Sequence, residues 1–234
     1  MKWALLSALL WLNLALAGTL SYASQLLSEG EPSLAALQIA EYLKAHPGSQ
    51  RGEILLARAE LLQGHPARAS RELAKIPTIT HPSGWWVKGL TLYELGHSRA
   101  ALVWLGKAAL QGQRYPYAMD WGTVAWQAGQ VALAEQAYLL ALQLEPTQAW
   151  PLIDSAMIAI SQRQLSLAAT FLSQAAGILR AHPNSAALPE LDYWQGELAA
   201  KQGRTQQARA DWKRALRLEP GDLEIERALD GLGN

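Results

Sequence analysis

Metal-ligand and general acid–base chemistry in this chain would draw first on its five histidines and 20 carboxylates, and it contains no cysteine. The absence of Cys removes disulfide scaffolds, Cys-ligated zinc, iron–sulfur clusters, thiol catalysis and a lipid anchor on an N-terminal Cys. His46, His65, His81, His97 and His182 are scattered, no two stand at a metal-ligand spacing, and no His-Glu-x-x-His occurs. His46 and His182 each precede a Pro at an expected helix end, where a partly charged ring suits the helix dipole. The carboxylates are dispersed, with no pair spaced for general acid–base work. Neither a Gly-x-Ser-x-Gly elbow nor a phosphate- or dinucleotide-binding glycine pattern is present. These residues imply no enzyme, and no metal or cofactor.

Charge narrows the partners further. The 234 residues carry 20 Lys+Arg against 20 Asp+Glu, whereas a nucleic-acid binder needs a basic surplus to neutralise phosphates. Nucleic acid is therefore not an expected partner. With 50% hydrophobic and 17% charged residues, the chain has the composition of a packed protein rather than a disordered one. A local basic run, Lys201, Arg204, Arg209, Lys213, Arg214 and Arg217, lies near the C-terminus. Arg209, Lys213 and Arg217 share a helix face, with Asp211 and Glu219 interleaved, and read as a solvated outer surface, the alternative being a site for an anionic partner such as a lipid headgroup or cell-wall polymer.

The N-terminus carries an address. Met1-Lys2 is a short positive start, and Trp3 to Ala17 is apolar except for Ser7 and Asn13. Small residues at Ala15-Leu16-Ala17 meet the requirement for cleavage, which makes residues 1–17 an expected signal peptide; Ser21-Tyr22-Ala23 offers a second cut after residue 23. The uncharged run from Trp3 to Ser28 is also long enough for an uncleaved anchor. Both readings export the rest of the chain, leaving it periplasmic or membrane-anchored and facing away from the cytoplasm. Membrane contact is then expected only through this segment.

The elements that follow are helical. Ala, Leu, Gln and Glu recur in helical periods, broken by isolated Gly and Pro. Four phrases align: Gly64-His65-Pro66-Ala67-Arg68-Ala69, Gly96-His97-Ser98-Arg99-Ala100-Ala101, Gly129-Gln130-Val131-Ala132-Leu133-Ala134 and Gly203-Arg204-Thr205-Gln206-Gln207-Ala208. An earlier copy starts at Gly30, and a degenerate one has Arg163 in the glycine's place and Ala168 in the alanine's. The steps between them are 34, 32, 33, 34 and 40 residues. Gly89, Gly122 and Gly196 each precede their turn glycine by seven residues, and Ala108, Ala141 and Ala215 follow theirs by twelve.

This pattern resembles the tetratricopeptide repeat, a helix–turn–helix unit of about 34 residues. The resemblance implies an all-α solenoid of about six such repeats over residues 18–220, with residues 221–234 as a C-terminal capping helix that Asp222 would N-cap. Its first helix, extrapolated back by one period, would begin near residue 16, which favours cleavage after Ala17. Small residues such as Gly122 and Ala141 would let paired helices approach, with Tyr138, Leu172 and Trp212 filling the space between them. Trp85, Trp104 and Trp121 are expected at similar packing places, while Trp194 stays open.

In this family one face of each first helix lines a groove. Carried onto this sequence, that face holds Arg51, Ile54 and Arg58, then Trp86, Leu90 and Tyr93, then Met119, Thr123 and Trp126. Trp150, Ile153 and Met157 follow, then Tyr193 and Glu197. The resemblance thus implies an aromatic groove, suited to a peptide or helix of a partner protein. The Lys and Asn residues with which the family clamps C-terminal carboxylates are missing. The expected function is a non-catalytic interaction scaffold in the cell envelope, assisting complex assembly; the alternative is an uncleaved membrane-anchored factor that works through self-association.

Overall fold

A left-handed backbone at each turn glycine is what folds one helix back along the next. Gly30, Gly64, Gly96, Gly129 and Gly203 all have φ between 69° and 82°, a region a side chain disfavours and glycine does not. The N–H after each glycine reaches back five residues to a helix carbonyl: His65 to Glu60 at 2.9 Å, His97 to Leu92 at 2.8 Å, Gln130 to Ala125 at 2.8 Å, Arg204 to Ala199 at 2.9 Å. Arg163, the one departure in the sequence pattern, takes the same conformation at φ 60°, and Gln164 donates to the Ala159 carbonyl at 2.8 Å. The degenerate copy is therefore a true turn of the series, built with a strained residue.

The computed structural model describes residues 19–181 and 186–231, so most of the N-terminal targeting segment, and His182, lie outside the described residues. The chain divides between Gln113 and Arg114 into two compact units. The first contains α1 (Leu20–Ser28), α2 (Pro32–Ala45), α3 (Gln50–Leu62), α4 (Pro66–Ala74), α5 (Pro82–Glu94) and α6 (Ser98–Gly112). The second contains α7 (Tyr115–Gln127), α8 (Val131–Leu144), α9 (Trp150–Ser161), α10 (Leu165–Ala181), α11 (Leu188–Lys201), α12 (Thr205–Leu218) and α13 (Leu223–Gly231). Prolines fill first-turn positions of six of these helices, Pro32, Pro66, Pro82, Pro116, Pro151 and Pro189, where the missing N–H costs nothing. Among the described residues there is no strand, and no helix is long and apolar enough to cross a membrane.

Within each unit, successive helices pack as pairs and the first helices of neighbouring pairs lie side by side: α1 with α3, α3 with α5, and α9 with α11. Glycine permits the closest of the pairings. A Cβ at Gly89 would stand 2.6 Å from Leu105, and one at Gly122 would stand 2.5 Å from the Tyr138 ring; Gly196 faces Trp212 in the same way. Tyr138, Leu172 and Trp212 are all buried, filling the space those small residues leave. Trp85 and Trp121 are also core residues, and the Trp85 indole N–H donates to the Ile79 carbonyl at 2.7 Å.

Trp104 differs from the packing role its position suggested. It is half-buried, with Lys88 Nζ 4.1 Å and Lys107 Nζ 5.6 Å from its ring centroid. Lys107 also lies 4.0 Å from the Trp85 ring, so the lysine links the two indoles by cation–π contact. At the C-terminal end Asp222 occupies the N-cap of α13, its Oδ1 accepting from the N–H groups of Glu224 at 2.8 Å and Ile225 at 3.1 Å. Ile225, Ala228 and Leu229 pack against Ala199, Ala208 and Trp212, closing the apolar end of the last repeat.

Candidate partner-binding surface

The exposed faces of the first helices are built by spacing: residues three and four apart on one helix share a face. In the first unit α5 places Trp86, Leu90 and Tyr93 in this way, all half-buried. The Arg58 guanidinium from α3 lies 5.2 Å from the Trp86 ring centroid, so a cation already covers part of that indole. Arg51 is exposed one turn and more before it. Ile54, which the repeat register put on the same face, is a core residue packed with Val87 and Leu73.

In the second unit α7 presents Met119 and Trp126, half-buried, with Thr123 exposed between them. From α9 come Trp150 and Met157, again half-buried, whereas Ile153 is wholly buried. From α11 comes Tyr193, whose hydroxyl donates to Glu224 Oε1 of α13 at 3.0 Å; the terminal helix thus reaches this end of the surface. Trp194, beside it, donates its indole N–H to Glu190 Oε1 at 2.7 Å.

The electrostatics of the second unit were not legible in the repeat pattern. Burial first, and then the charge of Glu190, raise the Asp154 carboxyl to about 7; a hydrogen bond with Tyr138 pulls the other way. Glu190 is itself raised by burial and by Glu224, Asp222 and Glu219, with the Trp194 hydrogen bond opposing. Glu197 is raised by burial, with Lys201 lowering and Glu224 raising it. Asp154 and Glu190 are 36 residues apart in sequence, and pairing of α9 with α11 brings them together. Their signal in the sequence was that both sit in first helices of successive repeats.

The other polar residues have structural posts. His81 Nδ1 accepts from the Ser83 N–H at 3.2 Å at the start of α5. His65 precedes α4 with Nδ1 3.1 Å from Glu60, and His46 stacks on Tyr42 with centroids 4.1 Å apart. Among the described residues no group of three His, Asp or Glu side chains is placed to hold a metal ion. Within the basic run, Arg214 pairs with Asp192 at 2.9 Å and Asp211 at 2.6 Å, so this half-buried guanidinium braces two carboxylates rather than standing free on an open cationic face. Lys201, Arg204, Lys213 and Arg217 are exposed.

The tetratricopeptide repeat family model matches residues 193–222, which span the sixth helix pair and its closing turn, and the five other turns repeat the geometry found there. Residues 193–222 form a tetratricopeptide repeat. No curated protein matches the chain. Among solved structures, this chain resembles PilF of Pseudomonas aeruginosa, with 19% identity, coverage of 91% of this chain and 95% of that one, and a TM-score of 0.72. It resembles PilW, described as a widely conserved type IV pilus biogenesis factor, at 15% identity over 89% and 96% of the two chains, with a TM-score of 0.74. YrrB, described as a tetratricopeptide-repeat protein with an unusual peptide-binding site, matches at 16% identity over 70% and 86%, with a TM-score of 0.55. At such identities the likeness is one of fold: all-α, of the tetratricopeptide-solenoid class.

Proposed function

We propose that this tetratricopeptide-repeat chain is a non-catalytic interaction scaffold of the cell envelope, which holds a peptide or helix of a partner protein on the faces of its first helices. The residues assigned to that surface are Trp86, Leu90, Tyr93, Met119, Trp126, Trp150, Met157 and Tyr193. The observation that carries the reading is the recurrence of half-buried aromatic and Met side chains at these positions in both units, while the paired glycine and aromatic positions beside them are closed in the core. Large amphipathic rings that stay accessible are the side chains that dominate protein recognition. The fold shared with PilW and YrrB, a pilus biogenesis factor and a peptide binder by their descriptions, is consistent with such a role. Trp126→Ala combined with Trp86→Ala should weaken partner capture while leaving helicity unchanged by circular dichroism. Unchanged capture by the double variant would discard the surface.

Export rests on residues 1–17, with cleavage after Ala17. In support, α1 packs into the first unit through Leu20, Ala23, Leu26 and Leu27, and Thr19 Oγ1 caps it by accepting from the Tyr22 N–H at 3.2 Å. Cleavage after Ala23 would remove the cap and two of those four core side chains. N-terminal sequencing of the mature protein should find Gly18 first; Ser24 or Met1 would overturn this. The second reading, an anchored factor acting through self-association, is favoured by apolar side chains left exposed on second helices: Leu37 and Val103 are 67% and 68% exposed. Sedimentation equilibrium of the chain lacking residues 1–17 tests it, a concentration-independent monomer ruling it out.

A further inference from the structure

The second unit treats its carboxylates in two ways. On one side of α11, Asp192 is neutralised by Arg214, which also pairs with Asp211. On the partner-binding side, Asp154 of α9 and Glu190 and Glu197 of α11 have no such brace. No salt bridge to Asp154, Glu190 or Glu197 occurs among the described residues, and the charge acting on Asp154 is the like charge of Glu190. Glu190 in turn faces Glu224, Asp222 and Glu219. Lys201, in the last turn of α11, is the cation acting on Glu197. The Tyr115 hydroxyl, near enough to Asp154 to feel its charge, is buried without a hydrogen-bond partner.

These carboxylates share their face with aromatic and thioether side chains. Trp150, Asp154 and Met157 stand at four- and three-residue steps on α9, and Glu190, Tyr193 and Glu197 at three- and four-residue steps on α11, two helices that lie side by side. Half-buried negative charge beside indole and phenol rings complements a Lys or Arg side chain: the carboxylate pairs with the cation and the ring face attracts it. The first unit has the opposite character, with Arg58 already seated on Trp86.

We propose that the α9–α11 face of the second unit binds a cationic segment of a partner protein, its Lys or Arg groups meeting Asp154, Glu190 and Glu197 and its apolar side chains resting on Trp150, Met157 and Tyr193. This rests on the reading of the first-helix faces as the binding surface and specifies the chemistry of their ligand. A bound cation offsets the repulsion among the three carboxylates and holds them ionised. Binding therefore weakens as the pH falls and the carboxylates take up protons, and weakens as salt screens the pairs.

The test uses the chain lacking residues 1–17 and two labelled synthetic amphipathic peptides, identical except that one carries Lys where the other carries Glu. Fluorescence anisotropy should show binding of the Lys peptide and none of the Glu peptide. Asp154→Asn with Glu197→Gln, near-isosteric changes checked by circular dichroism, should weaken the Lys peptide about tenfold. Equal binding of both peptides, or an unchanged affinity in the Asn/Gln variant, overturns the cationic ligand. The surface itself is judged separately by Trp126→Ala with Trp86→Ala, which lowers capture whatever the ligand's charge. A salt-sensitive dimer lost both in the Asn/Gln variant and in Lys213→Gln would assign the face to a second copy of this chain and overturn a separate partner.

Discussion

Gly122→Ala puts the helix-pair packing to a test in which two effects oppose each other. Gly122 lies within α7, where replacing a helix-interior Gly by Ala gains about 1 kcal/mol from backbone entropy alone. The new Cβ, however, would stand 2.5, 2.8 and 2.9 Å from three atoms of the Tyr138 ring. That ring is 2% exposed and cannot swing into solvent without opening the α7–α8 pair. Overpacking costs about 1–3 kcal/mol, and the enclosed Tyr138 ring puts this site at the upper end, about 2–3 kcal/mol, so after the gain of about 1 kcal/mol the net expectation is a loss of about 1–2 kcal/mol. Gly177 supplies the control: it lies within α10 with nothing within 4 Å of an added Cβ, so Gly177→Ala should gain about 0.5–1 kcal/mol. Urea denaturation followed by circular dichroism should therefore move the two midpoints in opposite directions. In a Tyr138→Leu background the Gly122→Ala penalty should largely vanish, as a double-mutant cycle would record. A midpoint for Gly122→Ala equal to or above wild type would refute the close-packed pair.

Two further outcomes follow from residues in unusual settings. Arg163→Gly should stabilise the chain by about 0.5–1 kcal/mol, since relief of a left-handed non-glycine residue outweighs the added freedom of the unfolded chain; a lower urea midpoint would contradict this. Asp154, whose carboxyl is held at about 7 in the folded protein, binds its proton more tightly folded than unfolded. Its contribution is therefore fully present below the ordinary carboxylate range and is lost as the pH rises to about 7, by on the order of a few kcal/mol. Asp154→Asn should flatten that decline between pH 4 and about 7; an identical pH profile for the two proteins would show that Asp154 is not desolvated.

Turns and pair contacts were legible in the sequence because each depends on a single residue type at a fixed offset. A glycine that must take positive φ, and a second seven residues earlier that must admit a large side chain of the paired helix, leave a periodic mark. Arg163 could be placed in the series despite its identity, because the alanine five residues on kept the register. The surface was legible in outline and not in character. Ile54 and Ile153 fall at the same register as the half-buried Trp86 and Tyr193 but are core residues, because an apolar branched side chain at that position packs inward where a larger amphipathic ring stays partly exposed. Arg58 over Trp86, Lys107 between two indoles and the meeting of Asp154 with Glu190 each join residues from different helices. Periodicity along one chain says which helix face a residue occupies, and says nothing of the charge waiting on the neighbouring helix.

Site-specific photocrosslinking in cells tests the central claim most directly. A photoreactive residue in place of Met157, on the surface assigned to the partner, and one in place of Leu167, which is 43% exposed on the second helix α10, differ in the face they occupy. We expect Met157 to yield one defined adduct with a partner protein, abolished in the Trp126→Ala, Trp86→Ala background, and Leu167 to yield none. An adduct from Leu167 with none from Met157 would contradict the assignment and move recognition to the second helices.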